Sequence, residues 1–248
     1  SFNQPLNNWD VSSVTGMRDM FNYTWEFNQP LNSWNVGNVT DMTSMFNSAT
    51  SFNQPISNWD VASVTNMVNM FYKASSFNQP LGEWNTSNVT TMFGMFFEAT
   101  SFNQPLNNWD VSNVNDMRRM FYKASSFNQP LGDWDVSSVN DMSGMFEEAI
   151  FFNQNLSNWD FSSLYSYGVE GIFKNASAMI NKGFYEYPTP NLWSTYNWIG
   201  AETPNPYGFS VDKAIFEINS EYEDINGIYN IYIDGTDIEV VYYNPVKE

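Results

Sequence analysis

SFNQPLNNWDVSSVTGMRDMFNYTW, residues 1–25, is followed at once by EFNQPLNSWNVGNVTDMTSMFNSAT, residues 26–50. Further copies start at Ser51, Ser76, Ser101 and Ser126 without a slip in register. A seventh, from Phe151, opens as FFNQNLSNWDFSSL and then drifts, with two extra residues ahead of Ile172-Phe173-Lys174-Asn175-Ala176. One column holds Trp9, Trp34, Trp59, Trp84, Trp109, Trp134 and Trp159, and another holds Phe2 and its six equivalents up to Phe152. A unit of 25 residues cannot bury its own apolar face, whereas stacked copies bury a continuous core. The expected fold class is therefore a repeat solenoid.

Within one unit, Leu6-x-x-Trp9-x-Val11 alternates at its end, as a short strand with one buried face does. Val14, Met17, Met20 and Phe21 then recur at spacings of three and four, which predicts a short helix with Ser12 or Ser13 as its N-cap. Strands of successive coils are expected to pair in parallel at about 4.8 Å. Asn3-Gln4 and its equivalents form either an amide ladder between coils or a polar ligand strip. The rule that buried polar groups are paired favours the ladder. Pro5 and its equivalents fix the bend into the strand, and Asn155 breaks that column. The Met columns read as core filling.

The segment Leu6-x-x-Trp9-x-Val11 resembles the LxxLxL strand of leucine-rich repeats. The whole unit, FNQPLNNWDVSSVTxMxxMFxxA, resembles the BspA-like leucine-rich repeat surface proteins, in their mycoplasma lipoprotein-type subgroup, over about residues 1–177. Val14 and its equivalents stand where ordinary leucine-rich repeats carry an Asn ladder. The resemblance implies a surface-exposed, non-enzymatic module for adhesion or recognition, at a cell or virion surface, with no catalytic residues to transfer.

Three regions follow from the pattern: a solenoid over 1–176 whose last coil is an atypical cap, an irregular aromatic and Pro-rich cap or linker over 177–210, and a small, mainly antiparallel β unit over 211–248. Phe184, Trp193 and Trp198 suit the cap, because a last coil would otherwise expose its core. Residues 214–219, 228–233 and 237–243 read as strands, with Asp234-Gly235 a hairpin turn.

Composition removes whole classes of chemistry. The chain of 248 residues has no Cys and no His, which excludes disulfides, thiolate catalysis, His-based triads and His-ligated metals. With 27 acidic and 9 basic residues, its net charge of −18 opposes nucleic acid and anionic lipid as partners. No apolar run is long enough for a membrane span, so no direct membrane insertion is expected. No signal peptide is seen, but the chain opens inside the repeat pattern, which reads as a fragment edge. The cluster Glu221, Glu223, Asp224 and Asn226 reads as a solvated acidic loop rather than a calcium site. The column Asp60, Asp110, Asp135 and Asp160 reads as acids keeping an exposed sheet soluble, or as cation ligands. Neither catalytic residues nor cofactors nor a metal site are expected, and no Gly-rich phosphate loop occurs. Sequons begin at Asn22, Asn38, Asn85, Asn88 and Asn175. A rank of Thr15, Thr40, Thr65 and Thr90 suits an ice-binding face only remotely, since Asn115 and Asn140 break it.

The outward columns carry the candidate site. Tyr72, Phe97 and Tyr122 hold one position in three consecutive repeats, edged by Lys73, Glu98 and Lys123, with Phe93, Arg118 and Arg119 beside them. Aromatics and Arg are enriched at interaction hot spots, and aromatic faces stack on sugars. The competing reading is a staple between adjacent coils. The expected function is recognition of a carbohydrate or protein on another cell or particle. The alternative is a structural subunit of an extracellular filament, surface layer or virus particle, self-assembling through residues 211–248.

Overall fold

The computed structural model describes residues 2–156, 158–165 and 168–180, together with the backbone of β1 (Asn230–Tyr232) and β2 (Glu239–Val241). The expected strand at 214–219, the acidic loop at Glu221–Asn226 and the aromatic residues Phe184, Trp193 and Trp198 lie outside the described residues.

Every repeat is built from reverse turns, and this corrects both elements expected within it. The segment from Leu6 to Val11 is not a strand: the Trp9 amide donates back to the Leu6 carbonyl at 3.0 Å, and Val14 does the same to Val11 at 2.9 Å. Nor is there a helix over 14–21. Met20 bonds to Met17, Asn22 to Asp19 and Thr24 to Phe21, all of the three-residue type, at 3.1–3.3 Å. Asp19 and Tyr23 have positive φ (57° each) at the third residue of their turns, as a type II turn requires. The apolar spacing of three misled because a turn, like a helix, brings its first and fourth residues to one side. Leu6 with Trp9, Val11 with Val14 and Met17 with Met20 are all turn ends.

The alternate amides of this segment explain why a helix does not form. Met17, Asp19, Phe21 and Tyr23 donate to the carbonyls of Asp41, Thr43, Met45 and Asn47 in the next repeat, at 2.8–2.9 Å. A helix would spend those donors on its own chain. The pattern continues repeat by repeat, with parallel bridges Gly16↔Asp41, Asp41↔Asn66, Asn66↔Thr91, Thr91↔Asp116 and Asp116↔Asp141. Parallel pairing between repeats thus runs through position 16 of the unit and the turns after it, not through Leu6–Val11.

The core is a set of ring columns. Phe27, Phe52, Phe77, Phe102, Phe127 and Phe152 are fully buried and stack at about 6 Å between centroids. A second Phe column, from Phe21 to Phe146, interleaves with it. Each buried Phe contributes roughly 1.5–3 kcal/mol. Trp indoles form a third column and satisfy their N–H inside it: Trp109 Nε1 donates to the Leu81 carbonyl at 2.9 Å, and Trp34, Trp59, Trp84, Trp134 and Trp159 make the same bond to theirs. The two Met columns fill the remaining space.

The amides of the Asn-Gln pairs tie the outer corner. Asn78 Oδ1 accepts the Asn103 amide and Gln104 Nε2, both at 3.0 Å, and the equivalent pair recurs at every repeat junction from Asn3 to Asn128.

The drifting seventh repeat still joins the stack. Phe173 stacks on Phe146 at 5.8 Å, and the Phe146 amide donates to Ile172. The segment expected to be irregular from residue 177 opens with one helical turn, α1 (Ser177–Ile180). Met179 is buried there, and the Ala178 amide donates to the Ile150 carbonyl. Further along, β1 and β2 pair antiparallel, with Ile231 opposite Val240.

Candidate recognition surface

Turn geometry decides which side chains face out. Positions 17, 20, 21 and 24 of the unit point into the core, so positions 18, 19, 22 and 23 between them point outward, although small residues there, such as Thr43, Ser44 and Ser48, are covered by their neighbours. The residues singled out in the sequence occupy these positions, and the structure brings most of them into contact. The Tyr72 and Phe97 rings stack at 4.3 Å and 12°, and the Phe97 and Tyr122 rings at 4.3 Å and 17°. All three are half-buried. Both faces of Phe97 are therefore covered by its neighbours.

The cations cap this stack. Lys73 Nζ lies 5.3 Å from the Tyr72 ring centre and 3.7 Å from Glu98. Lys123 Nζ lies 5.0 Å over Tyr122 and 3.5 Å from Glu148, and the Tyr122 hydroxyl donates to that same carboxylate at 3.3 Å. The Lys123 ammonium is held above the ordinary lysine value, first by its contact with the Tyr122 phenol and further by the Glu148 charge. The exposed Arg119 guanidinium sits 5.8 Å from the Tyr122 ring. Phe93 and Arg118 form a separate pair at 5.0 Å, with Arg118 held on Asp116 by two hydrogen bonds of 3.0 and 2.7 Å. Exposed ion pairs of this kind are worth about 0–1 kcal/mol each, so they shape the face more than they hold it.

The cations of the repeats gather on one face, where they mix with acids such as Glu98, Glu147 and Glu148. Arg18, Lys73, Arg118, Arg119, Lys123 and Lys174 are all the cations among the described residues, and all stand on this side of the unit. The side around position 10 carries Asp10, Asp60, Asp110, Asp135 and Asp160. Those acids are not on a strand face: each accepts the amide two residues on, as Asp135 Oδ1 does from Ser137 at 3.1 Å, and Asn35 and Asn85 do the same in their repeats. They are the acceptors of Asx turns, a use that Asn serves as well as Asp. Hydrogen bonds from Ser12 and Ser137 hold the Asp10 and Asp135 carboxyls below the ordinary aspartate value. Among the described residues, no group of three or more His, Cys, Asp or Glu could hold a metal ion.

Other candidates are spent on the scaffold. Thr40, Thr65 and Thr90 hydroxyls donate to the carbonyl of the Thr one repeat before, at 3.2–3.3 Å. The sequon residues Asn38 and Asn88 donate their side-chain amides to Ser12 and Ala62. Tyr23 and Trp25 were not singled out by the sequence reasoning, yet both are exposed. The available signal was their departure from columns that hold Ser48 and Thr50 in the next repeat.

Among known proteins, the family described as "Mycoplasma protein of unknown function, DUF285" matches the chain twice, over residues 1–104 and 79–187. No curated protein matches it. The two family matches overlap and together span the entire stacked-repeat region, so the chain belongs to the DUF285 family.

Proposed function

We propose that the chain is a non-catalytic recognition or adhesion module of the BspA-like leucine-rich repeat kind, displayed at a cell or virion surface. Its fold class is a solenoid whose coils are turns, and its lateral face, positions 18–25 of the units, meets a carbohydrate or protein on another cell or particle. One observation carries this reading. The scaffold columns repeat almost unchanged, while the lateral face gathers all the described cations and the Tyr72–Phe97–Tyr122 stack. Affinity along such a face is a sum of weak contacts, raised by display of many copies.

The test is binding of beads carrying many copies of the chain to arrays of glycans and of extracellular proteins. Replacing Lys73, Arg118, Arg119 and Lys123 by Ser, with Tyr72, Phe97 and Tyr122 replaced by the Asn that stands at Asn22 and Asn47, is expected to reduce binding at least tenfold while the fold survives. Binding unchanged by all seven substitutions would remove this part of the lateral face from the proposal. An array on which the unaltered chain binds nothing would remove the recognition function.

A further inference from the structure

Every cation among the described residues except one stands in an ion pair. Arg18 lies 3.7 Å from Asp19, Lys73 3.7 Å from Glu98, Arg118 2.7 Å from Asp116, Lys123 3.5 Å from Glu148 and Lys174 3.1 Å from Glu147. Arg119 is the exception: no carboxylate of the described residues pairs with its exposed guanidinium. The side chain starts from left-handed backbone at φ 53°, with its amide on the Ser143 carbonyl at 3.0 Å. A Cβ on Gly144 would come within 3.3 Å of Arg119 Cγ, so the stem lies along the bare backbone of that glycine. The guanidinium carbon ends 5.8 Å from the Tyr122 ring centre. In the repeats on either side the same position holds Gly94 and Gly144, and neither supplies a side chain to pair with it. A guanidinium presents a planar fork of N–H donors that matches a carboxylate or a sulfate with two parallel bonds. A stem already laid down loses less freedom when such a ligand arrives.

The groups beside the guanidinium limit how much negative charge that ligand can carry. Glu147 Oε2 would also come within 3.3 Å of a Cβ on Gly144, and its other oxygen is on Lys174. Glu148 accepts the Tyr122 hydroxyl at 3.3 Å and pairs with Lys123. A polyanion would meet these two carboxylates and a chain of net charge −18, whereas a single acidic group meets the one unpaired cation of the described residues. The hydroxyls of a sugar can donate to the same two carboxylates. A protein partner of ordinary interface size would also cover the Lys123–Glu148 and Lys174–Glu147 pairs, and taking those charges out of water is costly.

Resting on the recognition function proposed above, we infer that Arg119 is the anchor of the lateral face and that its ligand is a mainly neutral glycan bearing a single acidic group, carboxylate or sulfate. The experiment measures retention of beads carrying many copies of the full chain. The ligands are oligosaccharides ending in glucuronic or sialic acid, their methyl esters, a monosulfated oligosaccharide with its desulfated parent, heparin as the polyanion, and a panel of extracellular proteins. Retention on at least one singly acidic glycan is expected, weakened at least tenfold when that group is esterified or removed; the carboxylate and sulfate arms show which acid is read. Arg119→Gly installs the residue that the column holds on both sides and suits the positive φ, so the fold is kept. It is expected to weaken retention at least tenfold. Arg119→Gln, which keeps the stem over Gly144, replaces it should Arg119→Gly not fold. Equal retention on acid and ester, or retention unchanged by the substitution, overturns the anchor and leaves the recognition function standing. Stronger retention on heparin than on any singly acidic glycan, or binding confined to proteins, overturns the ligand class and likewise leaves that function standing. Binding to nothing on the panel overturns both.

Discussion

At the scale of single residues, the unusual feature is a row of left-handed backbone. Positive φ recurs twice per repeat, at Asp19, Ser44, Asn69, Gly94, Arg119 and Gly144 in one column and at Tyr23, Ser48, Lys73, Glu98, Lys123 and Glu148 in the other. A non-glycine residue in this region costs about 1–2 kcal/mol. The inter-repeat bonds made by these same amides offset that cost. Glycine at position 94 has a second reason: a Cβ there would run into Asn69 Oδ1. Gly94→Ala is expected to lower stability by about 1–3 kcal/mol in urea unfolding, and Asn69→Gly in the same chain should recover part of it. Asp135 gives a pH prediction. Its carboxyl titrates lower folded than unfolded, so its contribution is present above the unfolded value and is lost as pH falls through the folded one. Asp135→Asn keeps the Asx acceptor and removes the titration. The urea midpoint of the variant should fall less steeply with acid than that of the parent chain.

At the scale of the element, a turn with its junction is the working unit. No turn here is stable alone; each is closed by one bond of its own and held by bonds to the next repeat. Asn78 shows the dependence, since one side-chain oxygen serves two donors of the following repeat. Asn78→Leu leaves both donors without that acceptor in a half-buried corner. It is expected to cost about 1–3 kcal/mol by denaturant unfolding. The elements were only partly legible. The spacing of Val14, Met17, Met20 and Phe21 identified which residues are buried, and all but Val14 and Met20 are fully so. It could not separate a helix from successive turns, because both bring every third or fourth residue to one side. The amide columns of Asn and Gln were legible, since identical residues at a fixed period have themselves as partners.

At the scale of the whole molecule, stability is carried by contacts between neighbouring repeats. Removal of residues 51–75 joins Thr50 to Ser76 in register, and the shortened chain is expected to fold with a lower urea midpoint and a smaller m-value. Far-ultraviolet circular dichroism of unchanged shape would support this local dependence; global collapse would contradict it. The same stacking distributes function. Near-identical scaffold positions leave the exposed positions free to differ, and the described cations and the aromatic stack both lie on the lateral face.

The sequence by itself determined the period, the buried columns and the chemistry that is excluded, because these depend on residue identity and spacing alone. The absence of Cys and His closes thiolate and imidazole chemistry in any fold. Only the tertiary structure decided where each backbone amide bonds and which aromatic faces are covered. An amide can satisfy itself on its own chain or on the neighbouring repeat at similar local energy, and the choice follows from how closely the repeats stack. The covered rings follow from the same stacking: aromatic residues in adjacent repeats cover one another's faces, as in Tyr72, Phe97 and Tyr122.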